Sequence, residues 1–185
     1  RHRPVIARSL SSNLVWFLFE SRDGVLWIGT DGGGLNKLVK RTAAFNWITA
    51  DPGSPGSLLY TGVNDAAVDR QGVLWLANDG GGIQRFDPQT GAGKCYRSDP
   101  SAANSLKSDL TECILVDRGG TVWIGTYNGG LNALDPDTER FTHFLHNPAD
   151  AASISDNRIW ALFEDSRGYL WVGTRQGLNR MDPQA

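Results

Sequence analysis

The sequence contains few of the residues that build metal and redox sites. Two cysteines and three histidines occur among its 185 residues. His2 lies near the N-terminus, while His143 and His146 fall in one short segment, and no cysteine or carboxylate pattern typical of a transition-metal site accompanies them. We therefore predict that the chain binds no metal ion and uses no cofactor.

The two cysteines are predicted to remain free thiols. The repeat described below places Cys95 on an outermost strand and Cys113 on an innermost strand. Three inter-strand spacings would separate these strands by roughly 14 Å, whereas a disulfide needs Cα atoms within about 7 Å of each other. Two free thiols leave the redox compartment undecided.

The sequence also lacks a basic run and a long apolar stretch. Its formal net charge is -2, which argues against nucleic-acid binding through phosphate neutralisation. No apolar segment approaches the roughly 20 residues of a membrane span, so we expect no membrane contact by this part of the protein. The absence of an initiator methionine and of a signal-peptide pattern indicates a mature or excised piece.

Tryptophan and glycine, by contrast, are abundant and recur in register. Trp27, Trp75, Trp123 and Trp171 each follow the previous one by 48 residues, within "VLWIGTDGGGL", "VLWLANDGGGI", "TVWIGTYNGGL" and "YLWVGTRQGL". Such a period is the signature of a repeat architecture. We divide the chain into repeats at residues 9–56, 57–104, 105–152 and 153–185, the last of which is incomplete.

Each complete repeat contains four short segments, which are separated by turn residues. The first repeat reads "LVWFLFE", "VLWIGT", "LNKLV" and "AFNWITA", and the fourth ends after its third segment. Four strands in about 48 residues is typical of a propeller blade. The sequence therefore predicts an all-β fold, a single β-propeller domain over residues 1–185 that is a partial propeller or half-ring.

The tryptophan strand has apolar residues on both of its faces. Leu26 and Ile28 alternate with Trp27 and Gly29, which predicts a strand covered on both sides. We expect Gly29 to be small in order to leave room for the wide Trp27 on the same face.

The repeat resembles the two-component regulator propeller repeat. The resemblance rests on the openings "SLSSN", "SLKSD" and "SISDN", the acidic turns "DRQG", "DRGG" and "DSRG", the tryptophan segments, and the closing "RFDPQTG", "ALDPDTE" and "RMDPQ". It covers essentially the whole chain, although the second repeat opens "SLLYTG" and the fourth has one glycine fewer. It implies a periplasmic sensor region of a membrane-spanning histidine kinase or related protein, and often an oligosaccharide ligand.

The number of repeats leaves three possible arrangements. The chain closes alone as a four-bladed ring, two copies form an eight-bladed homodimer, or the end blades of a fragment stay open. An open arc would expose the apolar faces of its end blades, which favours association. Homodimeric closure is the expectation that we retain.

A ligand site is expected where the repeats stop agreeing with each other. The glycine turns and the inter-blade loops should share one face of the ring, at the mouth of the central channel. Trp16, Asn64, Glu112 and Trp160 occupy one register at the start of the innermost strands. The aromatic rings could stack on a sugar ring, and the polar side chains could form hydrogen bonds with the sugar hydroxyls. The remaining candidates come from the turns and loops: Asp31, Asp79, Tyr127, Asn128, Arg158, Arg175 and Gln176.

Several alternatives remain open from the sequence. Trp16 and Trp160 could be ordinary filling of the channel, and Asp31 and Asp79 are typical turn formers. A protein-interaction or self-assembling scaffold without a small ligand is the second functional interpretation. Enzymatic activity is not predicted, because no convergent catalytic group is apparent; Glu20 and Glu164 end first strands at the opposite face.

Overall fold

The computed structural model describes residues 9–21, 24–39, 44–50 and 57–182. The described residues form fifteen β-strands, named here in chain order. Blade 1 contains β1 (Val15–Glu20), β2 (Val25–Thr30), β3 (Gly34–Val39) and β4 (Ala44–Ile48). Blade 2 contains β5 (Val63–Val68), β6 (Leu74–Asn78), β7 (Gly82–Phe86) and β8 (Gly93–Tyr96). Blade 3 contains β9 (Thr111–Val116), β10 (Val122–Thr126), β11 (Leu131–Asp135) and β12 (Arg140–Phe144). Blade 4 contains β13 (Ile159–Glu164), β14 (Leu170–Thr174) and β15 (Gly177–Met181).

Each blade is one antiparallel sheet whose strands follow the order of the chain. Blades 1 to 3 have four strands and blade 4 has three. The all-β propeller fold is thus confirmed, including the fourth sheet that ends after its third strand. No helix in this part of the chain is long and apolar enough to cross a membrane.

The first strands of neighbouring blades pack against one another. β1 contacts β5, β5 contacts β9, and β9 contacts β13, so the first strand of each blade is innermost. Among the described residues, no comparable strand packing joins blade 1 to blade 4. The four sheets therefore form an open arc, and the closed four-bladed ring is not observed for the single chain.

The hydrophobic core lies between adjacent sheets. One cluster combines Trp27 with Leu74 of the next blade, a second combines Trp75 with Val122, and a third combines Trp123 with Leu170. The tryptophan strands of blades 2 and 3 lie between two sheets and are buried at every position, as predicted. Those of the end blades 1 and 4 have a neighbouring sheet on one side, and each keeps at least one half-buried position.

Every repeat joins its strand three to the loop that precedes its first strand. A buried or half-buried amide side chain on strand three accepts a hydrogen bond from the loop backbone. The pairs are Ser11 N–H to Asn36, Leu59 N–H to Gln84, Lys107 N–H to Asn132, and Ser155 N–H to Asn179. These bonds fix the inter-blade loop on the sheet and so position the loop residues that face the channel mouth.

The acidic turns hold the tryptophans of three blades. The indole N–H of Trp75 donates to Asp69 at 3.2 Å, that of Trp123 to Asp117 at 2.8 Å, and that of Trp171 to Asp165 at 2.9 Å. Blade 1 has Ser21 at this position, and its hydroxyl donates to Val25 O instead.

In blades 1 and 3, the glycine two residues after the tryptophan is small for a different reason from the one we expected. A Cβ on Gly29 would lie 1.9 Å from the ring of Phe17, and one on Gly125 would lie 2.4 Å from the sulfur of Cys113. These neighbours belong to the adjacent first strand, and no tryptophan atom is among the three nearest. The glycine therefore makes room for the innermost strand.

The two cysteines occupy the strands that the repeat predicts. Cys95 lies on β8, the outermost strand of blade 2, and Cys113 lies on β9, the innermost strand of blade 3. Both are free thiols, as predicted. Burial raises the pKa of Cys113 far above its usual range.

Candidate functional site

The glycine turns and the inter-blade loops lie on one face of the arc. A backbone hydrogen bond joins the first residue of each glycine turn to the residue just before the first strand. The four bonds run from Asp31 N to Leu14 O, Asp79 N to Gly62 O, Tyr127 N to Leu110 O, and Arg175 N to Arg158 O, at 2.9 to 3.1 Å. We call this face the glycine rim, and the face with the acidic turns the acidic rim.

The first strand of every blade contains a β-bulge at the glycine rim. In blade 1, Val15 pairs with Thr30 and Phe17 pairs with Gly29, which leaves Trp16 as an extra residue. The extra residues of the other blades occupy the same register: Asn64, Glu112 and Trp160. Bulges re-aim side chains and are frequent beside functional sites. The four sequence candidates are thus the four bulge residues.

Five of the candidate residues lie on the glycine rim of blades 2, 3 and 4. Asp79 comes from the glycine turn of blade 2, Glu112 and Tyr127 from blade 3, and Arg158 and Trp160 from blade 4. We call these five residues the mouth cluster. Its members interact through contacts of their aromatic rings and through electrostatic interactions.

Arg158 lies over the ring of Tyr127 and near the ring of Trp160. Its guanidinium carbon lies 3.7 Å from the ring centre of Tyr127 and 5.7 Å from that of Trp160. The two rings meet edge to face, with centres 6.5 Å apart and an interplanar angle of 85°. Contacts of this kind fix the plane of the guanidinium.

The carboxyl of Glu112 is half-buried beside both charges of the cluster. Burial raises its pKa above the ordinary value, the negative charge of Asp79 raises it further, and Arg158 opposes the increase. No ion pair joins Glu112 to Arg158 within the described residues. The cluster therefore presents an acidic side and a cationic side on one surface.

The remaining candidates do not join this group. Trp16 and Asp31 belong to blade 1, which contributes no residue to the cluster. The side chain of Asn64 donates to Thr111 O at 2.9 Å and so ties blade 2 to blade 3. Asn128 is exposed, and Gln176 donates to Asp156 at 3.0 Å. The hydrogen bond from the Arg158 backbone is the main cause that lowers the pKa of Asp156, and Gln176 and Arg175 lower it further.

A cavity at the acidic rim was not anticipated from the sequence. It has a volume of about 760 Å³ between blades 2 and 3, and includes Arg85, Lys94, Tyr96 and Glu139. Glu139 accepts hydrogen bonds from Lys94 and from the hydroxyl of Tyr96. No residue of the mouth cluster lines this cavity.

Catalytic and metal-binding arrangements are not apparent in the described ranges. No group of three or more histidine, cysteine, aspartate or glutamate side chains there is placed to hold a metal ion. Glu164, which the sequence places at the opposite face, contacts Arg118 at 2.8 Å. Its carboxylate bridges blade 4 to blade 3 at the acidic rim.

The sequence matches one known repeat family. The family described as two component regulator propeller matches residues 9–32, 105–128 and 153–176. These segments run from the opening serine to the glycine turn of repeats one, three and four. The second repeat, which opens "SLLYTG", is not among the matched segments. A comparison with curated protein sequences gives no match.

Solved structures with the same fold include extracellular sensor-system domains. The extracellular domain of BT3049, a proposed hybrid two component system from B. thetaiotaomicron, is 25% identical with a TM-score of 0.79. The match covers 99% of this chain and 25% of that one. The extracellular domain of BT4673, a proposed one component system from the same organism, is 26% identical with a TM-score of 0.72 over 92% of this chain and 22% of that one. The chain thus spans about a quarter of these relatives.

An enzyme also shares the fold. Virginiamycin B lyase from Staphylococcus aureus is 15% identical with a TM-score of 0.59, over 91% of this chain and 55% of the lyase. At this identity the likeness concerns the fold alone. Three of the four repeats match the two component regulator propeller family, and the fold is shared with two extracellular domains of proposed one component and hybrid two component systems.

Proposed function

We propose that this chain is a ligand-sensing propeller segment from the extracytoplasmic, periplasmic region of a two-component-type signalling protein. The family match and the printed description of the relatives as extracellular domains support this assignment. The role of the segment is to bind a ligand at the glycine rim and to pass the binding event on through contacts between blades. It performs no chemistry on the ligand.

The ligand is a carbohydrate, and the mouth cluster is its binding site. The observation that carries this proposal is the bulge, which turns Glu112 and Trp160 out of the regular strand pattern at one rim. Trp160 is 49% exposed and meets Tyr127 edge to face, so its ring is available for stacking on a sugar. Glu112 and Asp79 supply acceptors for hydroxyl groups.

Replacement of one bulge tryptophan tests the site against a matched control. Trp160→Ala and Trp16→Ala remove the same side chain at the same register, with exposed fractions of 49% and 60% in the native chain. Affinity for a panel of oligosaccharides is measured by calorimetry on the purified 185-residue chain. We expect Trp160→Ala to weaken binding about tenfold or more, and Trp16→Ala to leave it unchanged.

The other outcomes are informative in different ways. Equal losses in both variants would mean that blade 1 and blade 4 share one site, as in a closed ring. Unchanged affinity in a folded Trp160→Ala protein would remove the mouth cluster as the site. The absence of binding to every sugar in the panel would contradict the carbohydrate proposal.

A self-assembling scaffold is a second candidate, favoured by the ends of the arc. Leu14 and Leu18 of blade 1 and Phe163 of blade 4 are each more than 60% exposed, and large exposed apolar surfaces mark interaction sites. A homodimer that completes an eight-bladed ring would cover them. Native mass spectrometry tests this arrangement, which a particle with one chain would contradict.

A further inference from the structure

Arg158 is a residue that the blade itself does not require. The equivalent residues in the other repeats are Leu14, Gly62 and Leu110, and all four supply only a backbone carbonyl to the glycine turn. A position that accepts leucine, glycine and arginine is not under a packing constraint. The guanidinium is therefore specific to blade 4, where it contacts Tyr127 of blade 3.

The backbone and the stem of Arg158 are held firmly. Its N–H donates to Asp156 Oδ1 at 2.7 Å, and its carbonyl accepts from Arg175 N at 3.0 Å. The guanidinium plane lies over the ring of Tyr127, and Nε approaches Tyr127 O at 3.4 Å. Such an arginine is preorganised, so little side-chain entropy is lost when it binds a partner.

The terminal nitrogens of Arg158 have no acceptor within the residues that the structure describes. The carboxylate of Asp156 is already shared between the Arg158 backbone and Gln176. Glu112 acts on Arg158 through its charge and not through an ion pair. The planar fork of a guanidinium matches the two oxygens of a carboxylate or sulfate.

The charge of the glycine rim changes along the arc. The first residues of the glycine turns are Asp31, Asp79, Tyr127 and Arg175 in blades 1 to 4. Blade 4 thus contributes two cations, Arg158 and Arg175, and one carboxylate, Asp156, which already accepts from the Arg158 backbone and from Gln176, whereas the turns of blades 1 and 2 contribute aspartates. An anionic group would be attracted to the blade 4 side of the mouth cluster and repelled from the blade 2 side.

From this geometry we infer that the mouth cluster recognises an acidic sugar, whose carboxylate or sulfate binds the Arg158 fork while its ring stacks on Trp160. This inference rests on the proposed carbohydrate-sensing function and specifies its ligand class. The orientation follows from the charges, with the anionic group towards blade 4 and neutral hydroxyls towards Glu112 and Asp79.

The test compares acidic and neutral oligosaccharides on matched variants. The probes are trigalacturonate as the carboxylate, a chondroitin sulfate tetrasaccharide as the sulfate, and maltotriose as the neutral sugar. Arg158→Gln removes the cation, Arg158→Lys keeps the charge without the fork, and Arg167→Gln removes an exposed cation from the acidic rim as the control. Circular dichroism confirms that each 185-residue variant is folded before titration at low and high salt.

We expect at least one acidic probe to bind the native chain more tightly than maltotriose, and less tightly at high salt. Arg158→Gln should weaken this binding about 10- to 100-fold and Arg158→Lys by an intermediate factor, while Arg167→Gln leaves it unchanged. The carboxylate and sulfate probes show which anion the fork accepts.

Two results would overturn the inference while leaving the proposed function intact. Maltotriose binding as tightly as both acidic probes, with no effect of Arg158→Gln, would show a neutral-sugar site. Equal losses in Arg158→Gln and Arg167→Gln would show non-specific attraction by charge. No binding of any of the three sugars to the folded native chain would count against both the inference and the carbohydrate-sensing proposal.

Discussion

The two rims of this arc are built from the same repeat, and they use it differently. At the acidic rim, three blades place a turn aspartate on the indole N–H of their tryptophan, with donor–acceptor distances of 2.8 to 3.2 Å. At the glycine rim, all four blades repeat the backbone hydrogen bond of the turn, whereas the side chains there range from aspartate to arginine. Repeated aspartates stabilise the acidic rim, whereas at the glycine rim the repeated bonds hold the loop and turn backbone and the side chains of the bulges and of the first turn residues vary.

This difference shows how a repeat protein separates stability from recognition. A side chain that recurs in each unit makes the same bond in each unit and stabilises the blade. A side chain that varies on a constant backbone is free to serve another purpose. Asp117 and Asp79 illustrate the contrast, because both are turn aspartates at opposite ends of equivalent strands.

The largest expected effect is the loss of stability on removing an acidic-rim aspartate. Asp117→Ala removes the acceptor of Trp123 Nε1 at 2.8 Å and of Thr121 N at 2.9 Å. We expect it to lower the free energy of unfolding by about 2–3 kcal/mol, because two donors lose a charged acceptor. Urea denaturation followed by tryptophan fluorescence measures the change.

Asp79→Ala at the glycine rim is the matched control. Its exposed side chain makes no hydrogen bond within the described part of the chain, so we expect a change below about 0.5 kcal/mol. If the two variants lost equal stability, the division of labour between the rims would be wrong.

A smaller effect is expected between the rims, at the half-buried carboxyl of Asp65 on the innermost strand of blade 2. Asp65 follows the bulge of blade 2, where the other blades have Phe17, Cys113 and Ala161. Its oxygens accept from Ala66 N at 2.8 Å and from Ile114 N of blade 3 at 2.9 Å. Burial raises the pKa of this carboxyl to about 6, against the lowering effect of those two bonds.

The pH dependence follows from the sign of this shift. Since the pKa is higher in the folded chain than in the unfolded chain, the stabilising contribution is complete below about pH 4 and is lost as pH rises through 6. We expect the native chain to lose about 2 kcal/mol relative to Asp65→Asn between pH 4 and pH 7. Urea denaturation of both proteins across this range gives the difference, and parallel profiles would contradict the assignment.

The period of the sequence was enough to predict the blades but not the bulges. A strand of four to seven residues between glycine turns is visible in "LWIGT", because burial on both faces leaves an apolar run. The extra residue of a bulge leaves no such trace, since it depends on the register of the partner strand. The sequence therefore placed Trp160 at the right register without indicating why it points away from the sheet.

The mouth cluster was only partly predictable for a related reason. Its five members come from three blades, and the sequence gives the position of each within its own repeat. The stacking of Arg158 on Tyr127 depends on the spacing and tilt between blades, which no local pattern encodes. The role of Gly29 was misassigned because its crowding neighbour, Phe17, lies on the paired strand β1 and is distant in sequence.

The smallest expected effect concerns a residue that breaks the repetition of the acidic rim. Glu139 ends the turn "DPDTE" with φ of 56°, where the equivalent Gly91 of "DPQTG" has φ of 74°. A side chain at positive φ is strained, so Glu139→Gly relieves strain but loses the contacts to Lys94 and Tyr96. Glu139→Gln keeps the backbone cost and removes only the charge.

We expect Glu139→Gly to raise Tm by about 2 °C relative to Glu139→Gln. We expect Gly91→Ala to lower Tm by a similar amount relative to the native chain. Differential scanning calorimetry of the three variants measures these shifts. A lower Tm for Glu139→Gly than for Glu139→Gln would mean that the turn of blade 3 does not carry this strain. Opposite shifts at equivalent positions would instead show that blade 3 tolerates a strained backbone in order to keep a carboxylate across the groove to blade 2. Even the rim built by repetition would then contain one residue selected for its side chain.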